Sequence, residues 1–390
     1  MSRTIRRIAL IYDARSAYDL KVMTGVAAYL RETPNYNVYI EENALKDQRL
    51  PDLRSWGGDG IIMDFDHPAI TSAVAESKLP VVGFGSGYGW YVRQSSIPYF
   101  FSNNKAIAKM AADHLLGRGF RHFAYAGYAP TRINGWSGER ERAFALRVTE
   151  QGCFCAVYRD QYKTSRQWTS VQRALGEWLA SLPRPLGVMA ANDNRGRHVL
   201  EACRVFGLRV PQDVAVIGVD NDQLLCQLSS PQLSSIEQGA KRLGYEAAAL
   251  LDRLIRGEMS LQIRFVIDPT GIVIRQSTDF IAIDDPVVAR AMAFVQEHAA
   301  KGIKVPDVVN AAGVSRSGLE TRFAKGFGYS IRTAIRQVQL ERVRSLISDT
   351  NLPLKQVASD AGFRTVQHMT TLFGKTFGRS PGKYRERVAL

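Results

Sequence analysis

The sequence predicts a two-lobed α/β domain followed by an all-helical domain, and three observations carry this prediction. Through residues 7–267, short apolar runs alternate with amphipathic stretches, a pattern typical of buried parallel strands joined by helices. This series runs twice, which indicates two α/β lobes with a cleft between them. The segment 305–384 instead contains one helical pattern that occurs twice. A chain of 390 residues has room for two or three such domains.

The elements of the α/β part are predicted from apolar periodicity and from the polar or glycine residues that bound each run. In the first series we predict strands at 7–12, 38–41, 60–65 and 80–84, with helices at 18–32 and 68–76. In the second we predict helices at 104–118, 138–150, 167–180, 195–206 and 239–257, with strands at 122–127, 187–190, 214–219 and 264–267.

The repeated helical pattern has the form of a helix-turn-helix. In each copy a short helix ends at an apolar-flanked glycine, Gly313 or Gly362, and a second helix follows. Glycine ends a helix there because it adopts the left-handed conformation at no steric cost. The two motifs are predicted at about 305–326 and 354–376, and a long helix at 331–348 connects them.

The second helix of each motif has an apolar pair four residues apart, Leu319 and Phe323 in one and Met369 and Phe373 in the other. This spacing places each pair on one face, so the opposite face is free to enter a major groove. On that face we expect Gln367 to pair with adenine and the threonines to contact thymine methyl groups. The candidate DNA-binding residues are Arg316, Ser317, Glu320, Thr321, Arg322, Arg364, Val366, Gln367, Thr370 and Thr371. Arg322 and Arg364 are equally compatible with phosphate contact and with plain solvation.

These two motifs, the long helix between them and the ending Phe-Gly-Arg-Ser-Pro-Gly-Lys-Tyr-Arg at 377–385 resemble the DNA-binding domain of AraC/XylS-family transcription regulators. We place this domain at 287–390, after the two-lobed α/β domain at 1–278 and a linker at 279–286. Net charge agrees with the assignment. The segment 281–390 has 17 Lys and Arg against 9 Asp and Glu, a dense positive charge suited to phosphates.

Polar side chains follow the predicted strands of both lobes at their carboxyl ends, where open α/β sheets bind ligands. Carboxylates, amides and one arginine suit the vicinal hydroxyls of a sugar, and aromatic rings suit its apolar face. The candidate ligand-binding residues are Asp220, Arg140, Asn192, Asp193, Trp136, Asp66, Phe65, Asp64, Ser86 and Tyr18. Each Asp or Asn taken singly is equally compatible with a helix cap, and each aromatic with a core position. The first-lobe partner stays open among Asp64, Asp66 and Ser86.

The α/β region resembles the LacI/GalR-type ligand-binding domain, which is similar to periplasmic sugar-binding proteins. The matching residues include the Asn-Asp pair at 192–193 and the Val-Ile-Gly-Val-Asp-Asn run at 216–221. By this resemblance Arg140, the Asn-Asp pair and Asp220 face the effector. The family's own N-terminal helix-turn-helix is absent here because Arg7 already enters the first strand. DNA binding must then come from the C-terminal motifs.

The order of the two domains resembles a family of regulators of xylose use. This resemblance implies a cytoplasmic, nucleoid-associated activator that binds D-xylose. It also implies that the protein acts as a homodimer on an operator with tandem half-sites and contacts RNA polymerase. A regulator that responds to another pentose, hexose or polyol is the alternative, and a sugar-modifying enzyme is a remote one. No cofactor and no metal are expected. The sequence has no glycine-rich phosphate loop and no nucleophile elbow.

The remaining composition fits a cytoplasmic protein. The four cysteines have neither metal-binding spacing nor the density of a disulfide scaffold, so reduced thiols are expected. The apolar run near the N-terminus is too short for a signal peptide. No apolar stretch reaches the length needed to cross a membrane.

Overall fold

The computed structural model describes residues 5–41, 56–66, 78–85, 97–131, 134–160, 168–280, 282 and 285–388. Two six-stranded sheets form the cores of two α/β lobes, as the sequence predicts. Their strands in chain order are β1 Arg6–Ile11, β2 Tyr36–Glu41, β3 Gly60–Asp64, β4 Val81–Phe84, β5 Tyr99–Ser102, β6 His122–Tyr128, β7 Cys155–Asp160, β8 Leu186–Ala190, β9 Val214–Val219, β10 Ser234–Glu237, β11 Arg264–Ile267 and β12 Gly271–Val273.

Fourteen described α-helices accompany these strands, seven in the lobes and seven after them. In the lobes they are α1 Ala17–Glu32, α2 Asn104–Gly117, α3 Gly135–Thr149, α4 Trp168–Ser181, α5 Asp193–Val205, α6 Gln223–Leu228 and α7 Ala240–Ile255. After the lobes they are α8 Pro286–His298, α9 Val305–Ala312, α10 Arg316–Phe327, α11 Ile331–Asp349, α12 Leu354–Asp360, α13 Val366–Phe377 and α14 Pro381–Val388.

The chain passes between the lobes three times: the first crossing follows β5, the second follows β10 and the third follows β11. The first sheet has the order β11-β5-β4-β3-β1-β2 and the second β12-β10-β9-β8-β6-β7. Strand pairing is parallel throughout except between β10 and β12. Lobe 1 therefore combines β1–β5 with α7 and β11, which return to it from the second series. The sequence predicted α7 and β11 as elements but assigned them to the end of the second series.

Apolar strands buried on both faces explain the parallel sheets. Residues of β3 and β9 are all buried. In lobe 2 described helices pack on both faces of the sheet, α2 and α3 on one face and α4 and α5 on the other, and in lobe 1 α1 and α7 pack on one face. In lobe 1 the helices α1 and α7 pack closely because glycines lie at their crossing. A Cβ on Gly25 would lie 1.8 Å from the backbone oxygen of Lys241, and one on Gly244 would lie 1.8 Å from that of Val22.

The helical domain contains both predicted helix-turn-helix motifs, α9–α10 and α12–α13, joined by α11. Gly313 and Gly362 have φ of 70° and 79°, the left-handed conformation predicted from their positions. Leu319, Phe323, Met369 and Phe373 are all fully buried. Two apolar clusters result, one around α8–α10 and one around α12–α14, and α11 contributes to both.

One predicted helix lies outside the described residues, and two residues of the predicted linker pack on lobe 2. The predicted helix at 68–76 falls on residues that are not described. In the predicted linker, Phe280 and Ala282 pack on the lobe 2 core, and the Ala282 amide donates to the Arg118 carbonyl at 2.8 Å. The next helix begins at Pro286 with Asp285 as its cap. Among the described residues, none of the helices combines the length and hydrophobicity needed to span a bilayer.

Candidate functional site: an inter-lobe cleft and a pair of recognition helices

A cleft of about 360 Å³ lies between the two lobes, at the carboxyl ends of their parallel strands. Both lobes contribute polar side chains to it. Its lining residues are Asp13, Arg15, Ser16, Tyr18, Asp19, Asp64, Asp66, Gly85, Ser102, Asn104, Trp136, Arg140, Asn192, Asp220 and Gln238. Seven of the ten residues predicted for ligand binding are therefore brought together here.

The lobe 1 wall is acidic. Asp19 is buried at the start of α1, where its carboxylate accepts the Asp13 backbone N–H at 3.0 Å. Asp64 ends β3 and accepts the backbone N–H of Asp66 at 2.8 Å. Burial raises the pKa of Asp19 to about 7, and burial together with the neighbouring Asp19 and Asp66 raises the pKa of Asp64 well above its usual range. At neutral pH the carboxyl groups of this wall are consequently protonated in part and ionised in part, so they offer both hydrogen-bond donors and acceptors to a polyol.

The lobe 2 wall is organised around Arg140. The side chain is only 4% exposed, yet three acceptors hold it: Nε donates to Asn104 Oδ1 at 2.9 Å, and the two terminal nitrogens donate to the Ala191 carbonyl at 2.6 Å and to Gln238 Oε1 at 2.8 Å. A guanidinium has about five N–H donors, so these three bonds do not use all of them, and Arg140 is among the residues that line the cleft. Arg140 also lies over the Trp136 ring, 4.8 Å from its centroid.

Asp220 follows β9 and enters the cleft through an unusual backbone conformation. Its φ is 110° and that of Asn221 is 49°, both in the left-handed region that disfavours side chains. Gln238 Nε2 donates to its Oδ1. Burial raises the pKa of Asp220 to about 7, although the positive charges of Arg140 and Lys21 oppose the rise. Strain at this position is typical of residues placed for function.

Asn192 serves as a helix cap and a cleft residue at once. Its Oδ1 accepts the Arg195 backbone N–H at 3.0 Å, which begins α5, and the Tyr128 hydroxyl at 2.9 Å. Both acceptor positions are thereby used, so the side chain faces the cleft with its amide donors. Asn192 is thus a helix cap that also lines the cleft, and its role in ligand binding stays a prediction.

Two predicted cleft residues lie elsewhere, which corrects those predictions. Phe65 is 2% exposed and packs in a lobe 1 core cluster, where its ring fills the space beside Gly83. Asp193 is 1% exposed and turns away from the cleft, because its carboxylate accepts from Ser235 Oγ at 2.5 Å and from the Asp222 backbone N–H at 2.8 Å.

Asp193 stabilises the strained loop at Asp220 and Asn221 by accepting the neighbouring Asp222 backbone N–H. Burial raises the pKa of Asp193 to about 8. The alternation of side chains at a strand end explains the position of Phe65, since consecutive residues there point to opposite sides, whereas Asp193 is the first residue of the helix α5. Ser86, the other predicted partner, lies outside the described residues.

Sequence reasoning did not include several lining residues among the candidates. They are Asp13, Arg15, Ser16, Asp19, Gly85, Ser102, Asn104 and Gln238. The sequence could have identified Asp13 and Asp19 as cleft residues, because they flank the turn between a buried strand and a helix. Gln238 had no such signal, because the preceding strand β10 reads Ser-Ser-Ile-Glu and lacks an apolar run.

The first recognition helix, α10, presents its predicted residues to solvent. Ser315 caps it by accepting from the Gly318 backbone N–H at 3.3 Å. Its exposed candidates are Arg316, Ser317, Glu320, Thr321 and Arg322. Arg316 and Glu320 pair at 2.9 Å along one side of the helix, while Arg322 lies 3.7 Å from Asp285.

The second recognition helix, α13, has the same design, with Thr365 as its cap. Arg364, Gln367 and Thr371 are exposed, and Thr370 is half-buried. Val366 is partly buried against the apolar cluster of this motif, so part of its surface serves packing. The helix between the motifs, α11, has 19 residues. At 1.5 Å per residue it is about 28 Å long, close to the spacing of about 34 Å between successive major-groove faces.

A ligand-binding cleft joined to paired helix-turn-helix motifs defines a transcription regulator that responds to a small molecule. Family models agree: residues 7–105 match a XylR N-terminal domain, 112–278 a periplasmic binding protein-like domain, and 308–387 a helix-turn-helix domain. The chain is 37% identical to the xylose operon regulatory protein of Escherichia coli K12, over 97% of both chains. It is 30% identical to that of Haemophilus influenzae, over 99% of both.

A solved structure of the xylose-binding transcription activator XylR is also similar, with 36% identity, a TM-score of 0.65 and 99% of both chains covered. The chain belongs to the family of xylose operon regulatory proteins. The predicted fold class and the predicted sugar-responsive regulator are thereby confirmed.

Proposed function

We propose that this protein is a D-xylose-responsive activator of xylose-utilisation genes. The observation that carries the proposal is the cleft, where carboxylates, amides and the Arg140 guanidinium converge from both lobes. Two relatives are xylose operon regulatory proteins and the similar solved structure is that of a xylose-binding activator, which supports xylose as the sugar. A ligand cleft of this size falls within the usual range of about 300–1,000 Å³ for small-molecule sites.

In this proposal the sugar binds with its hydroxyls between the two polar walls. Asp220 accepts from one pair of hydroxyls while the free N–H groups of Arg140 and the Asn192 amide donate to others. Asp64, Asp66 and Tyr18 meet the sugar from lobe 1, and Ser86 stays a candidate beside them. Since Arg140 covers one face of the Trp136 ring, a sugar would stack on the other face. Phe65 and Asp193 support the walls without touching the ligand.

Sugar bound to both lobes favours the closed cleft. This shifts the conformational equilibrium only by the difference in affinity between closed and open states, and a near-complete switch needs about 5.5 kcal/mol. The closed state is the one that binds the operator productively. It does so as a homodimer on tandem half-sites, in the cytoplasm at the nucleoid, and in contact with RNA polymerase.

At the operator, the exposed faces of α10 and α13 enter successive major-groove faces. Gln367 pairs with adenine, and Arg316, Ser317, Glu320, Thr321, Thr370 and Thr371 contact base edges nearby, while Val366 reaches a thymine methyl with its exposed part. Arg322 and Arg364 hold phosphates and set the register without reading sequence.

The test is thermal unfolding of the full chain with D-xylose, L-arabinose, D-ribose, D-glucose and xylitol. A ligand that binds only the folded state stabilises it by about 2.7 kcal/mol at a hundredfold excess over Kd. D-xylose should raise the Tm, and Asp220→Asn and Arg140→Met should abolish the rise. Arg204→Met is the control, because Arg204 is exposed and pairs with Glu201 away from the cleft.

Other outcomes of this test discriminate the alternatives. A rise with another sugar only would replace xylose as the effector and keep the regulator. If no sugar raises the Tm, the cleft is not a sugar site. Incubation of the protein with the stabilising sugar, followed by analysis for modified sugar, tests the enzyme alternative, and we expect the sugar to be recovered unchanged.

A further inference from the structure

The three crossings between the lobes are tied to one another. At the first, Asn103 donates its backbone N–H to the Ile267 carbonyl at 2.8 Å and its side-chain amide to Asp268 Oδ1 at 2.9 Å. The third crossing joins the second where the Thr270 backbone N–H donates to the Glu237 carbonyl at 2.9 Å. Any rotation of lobe 1 against lobe 2 must therefore displace residues 268–270.

The same crossings are bonded to the cleft. The Glu237 carboxylate accepts from Lys21 Nζ on the lobe 1 helix α1 and from Asn221 Nδ2 at 3.4 Å. Lys21 Nζ also donates to the backbone carbonyl of Asp220 at 2.6 Å. Because Asp220 lines the cleft, a ligand there contacts groups that are one hydrogen bond away from the crossings.

Two side chains of the DNA-binding domain donate hydrogen bonds to one backbone carbonyl of the third crossing. The Thr270 carbonyl oxygen accepts from the Tyr384 hydroxyl at 3.0 Å and from an Arg344 terminal nitrogen at 3.4 Å. Arg344 lies on α11, is 6% exposed, and is fixed by Glu341 through Nε at 2.9 Å. The approach is close, since a Cβ on Gly271 would lie 3.1 Å from the Arg344 guanidinium.

Separate contacts fix the first motif to lobe 2. Arg121 donates to the Gly326 carbonyl at the end of α10 at 2.7 Å, and the Tyr329 hydroxyl donates to the Gly117 carbonyl at 3.3 Å. The second motif is connected to the crossing instead, because the Tyr384 ring packs edge-on against Phe373 of α13, with centroids 5.3 Å apart. The two recognition helices are thus attached to different parts of the ligand-binding domain.

We propose that the Thr270 carbonyl, held by Arg344 and Tyr384, is the contact through which the state of the cleft sets the position of the second recognition helix. This inference rests on the proposed sugar-dependent regulation. Closure displaces the crossing relative to lobe 2, where the first motif stays fixed. The displacement reaches α13 through Tyr384 and α11 through Arg344, so it changes the placement of α13 relative to α10. By linkage, operator binding changes sugar affinity by the same factor.

The experiment measures coupling, defined as the operator Kd without sugar divided by the Kd with saturating D-xylose, using full-length protein and fluorescence anisotropy. Tyr384→Phe removes only the hydroxyl and keeps the ring packing. We expect it to reduce the coupling about fivefold, the value of one ordinary hydrogen bond. Adding Arg344→Met should bring coupling close to one. Both proteins should still bind D-xylose and still bind operator.

Tyr329→Phe is the matched control, because it removes the same kind of bond between the same domains at Gly117. The Arg121 bond to the Gly326 carbonyl still holds the first motif to lobe 2 in this variant, so the coupling should be unchanged. A wild-type level of coupling in Tyr384→Phe and in the double variant would overturn this inference alone, as would an equal loss in Tyr329→Phe. If the double variant fails to fold, Tyr384→Phe and its control decide the question. A wild-type chain that binds operator without any response to D-xylose would overturn the proposed function, and this inference with it.

Discussion

At the scale of single residues, the cleft combines charge with protons. Buried carboxyl groups on lobe 1 and lobe 2 stay partly protonated near neutral pH, since burial raises the pKa of Asp19 and of Asp220 to about 7. Such groups serve a sugar well, because its hydroxyls both donate and accept. As these buried groups ionise, the stability of the ligand-free protein falls.

This effect predicts that the free energy of unfolding depends on pH. A carboxyl with a folded-state pKa of about 7 and an ordinary pKa when unfolded binds more protons in the folded state, so stability falls as the pH rises between these values. The free energy of unfolding should therefore decrease from pH 5 to pH 7, by up to about 1.4 kcal/mol per pH unit for each such carboxyl. Urea denaturation of the ligand-free protein at several pH values measures it.

Asp19→Asn isolates the contribution of one group. Its side-chain oxygen still accepts the Asp13 N–H, but it does not titrate. The variant should lose stability less steeply over this pH window than the wild type. Parallel curves for the two proteins would show that Asp19 is already ionised at the lower pH.

At the scale of elements, lobe 1 depends on the crossing of α1 and α7. The two helices approach so closely that backbone atoms of each lie where a Cβ of the other would be. The pair matters for function because α1 contains Asp19 in its first turn as well as Lys21, while α7 follows the second crossing. A shift between these helices would therefore displace both the cleft wall and the crossings.

Gly244→Ala should separate these helices. Its Cβ would lie 1.8 Å from the Val22 carbonyl oxygen, a contact that only backbone movement can relieve. We expect a loss of about 1–3 kcal/mol or more in stability, as for other overpacked cores, together with weaker binding of D-xylose. Gly117→Ala on α2 is the control, since nothing lies within 4 Å of its Cβ. Differential scanning calorimetry compares the two, and equal Tm values would contradict the prediction.

The recognition helices give a second prediction at this scale. Gln367→Ala removes the side chain expected to pair with adenine, so operator binding should weaken by about 1–3 kcal/mol. Thr376→Ala, on the opposite side of α13, should bind as the wild type does. Anisotropy with an operator selected from random duplexes measures both affinities. The D-xylose-induced rise in Tm should be unchanged in both variants, and an operator affinity unaffected by Gln367→Ala would exclude this contact.

At the scale of the whole molecule, charge is divided between the two functions. The cationic segment 281–390 meets polyanionic DNA, whereas D-xylose is neutral. Raising KCl from 0.1 to 0.3 M should weaken operator binding about fiftyfold if four phosphates are contacted. The Kd for D-xylose should change less than about twofold, because screening acts on exposed charges and the sugar has none. Titrations at three salt concentrations test this, and a salt-independent operator Kd would contradict it.

Local patterns predicted the elements of this molecule better than their assembly. Capping residues and apolar periods placed α2, α5, β9 and β11 within about two residues. The strands β5, β7, β10 and β12 were missed, and three of them, β5, β10 and β12, have only three or four residues each. The return of α7 and β11 to lobe 1 was also missed, since sheet membership depends on contacts distant in sequence.

The polar residue types at strand ends correctly predicted that the cleft lies at the carboxyl ends of the strands in both sheets. They did not predict which of these side chains line the cleft: Phe65 packs in a lobe 1 core cluster, and Asp193 bonds to Ser235 and to the Asp222 backbone instead. The residues contributed by crossings, such as Gln238, required the fold itself.

The discontinuity of lobe 1 also sets an order of assembly during synthesis. Lobe 2 is formed mainly by the continuous stretch between α2 and β10, so it can fold once that stretch has left the ribosome. Lobe 1 must wait for β11, which pairs with β5 and closes its sheet. Until then the edge of β5 is open and the face of lobe 1 that α7 covers is exposed. The first half of the cleft to be translated is thus the last to be completed, and the DNA-binding motifs emerge only after it.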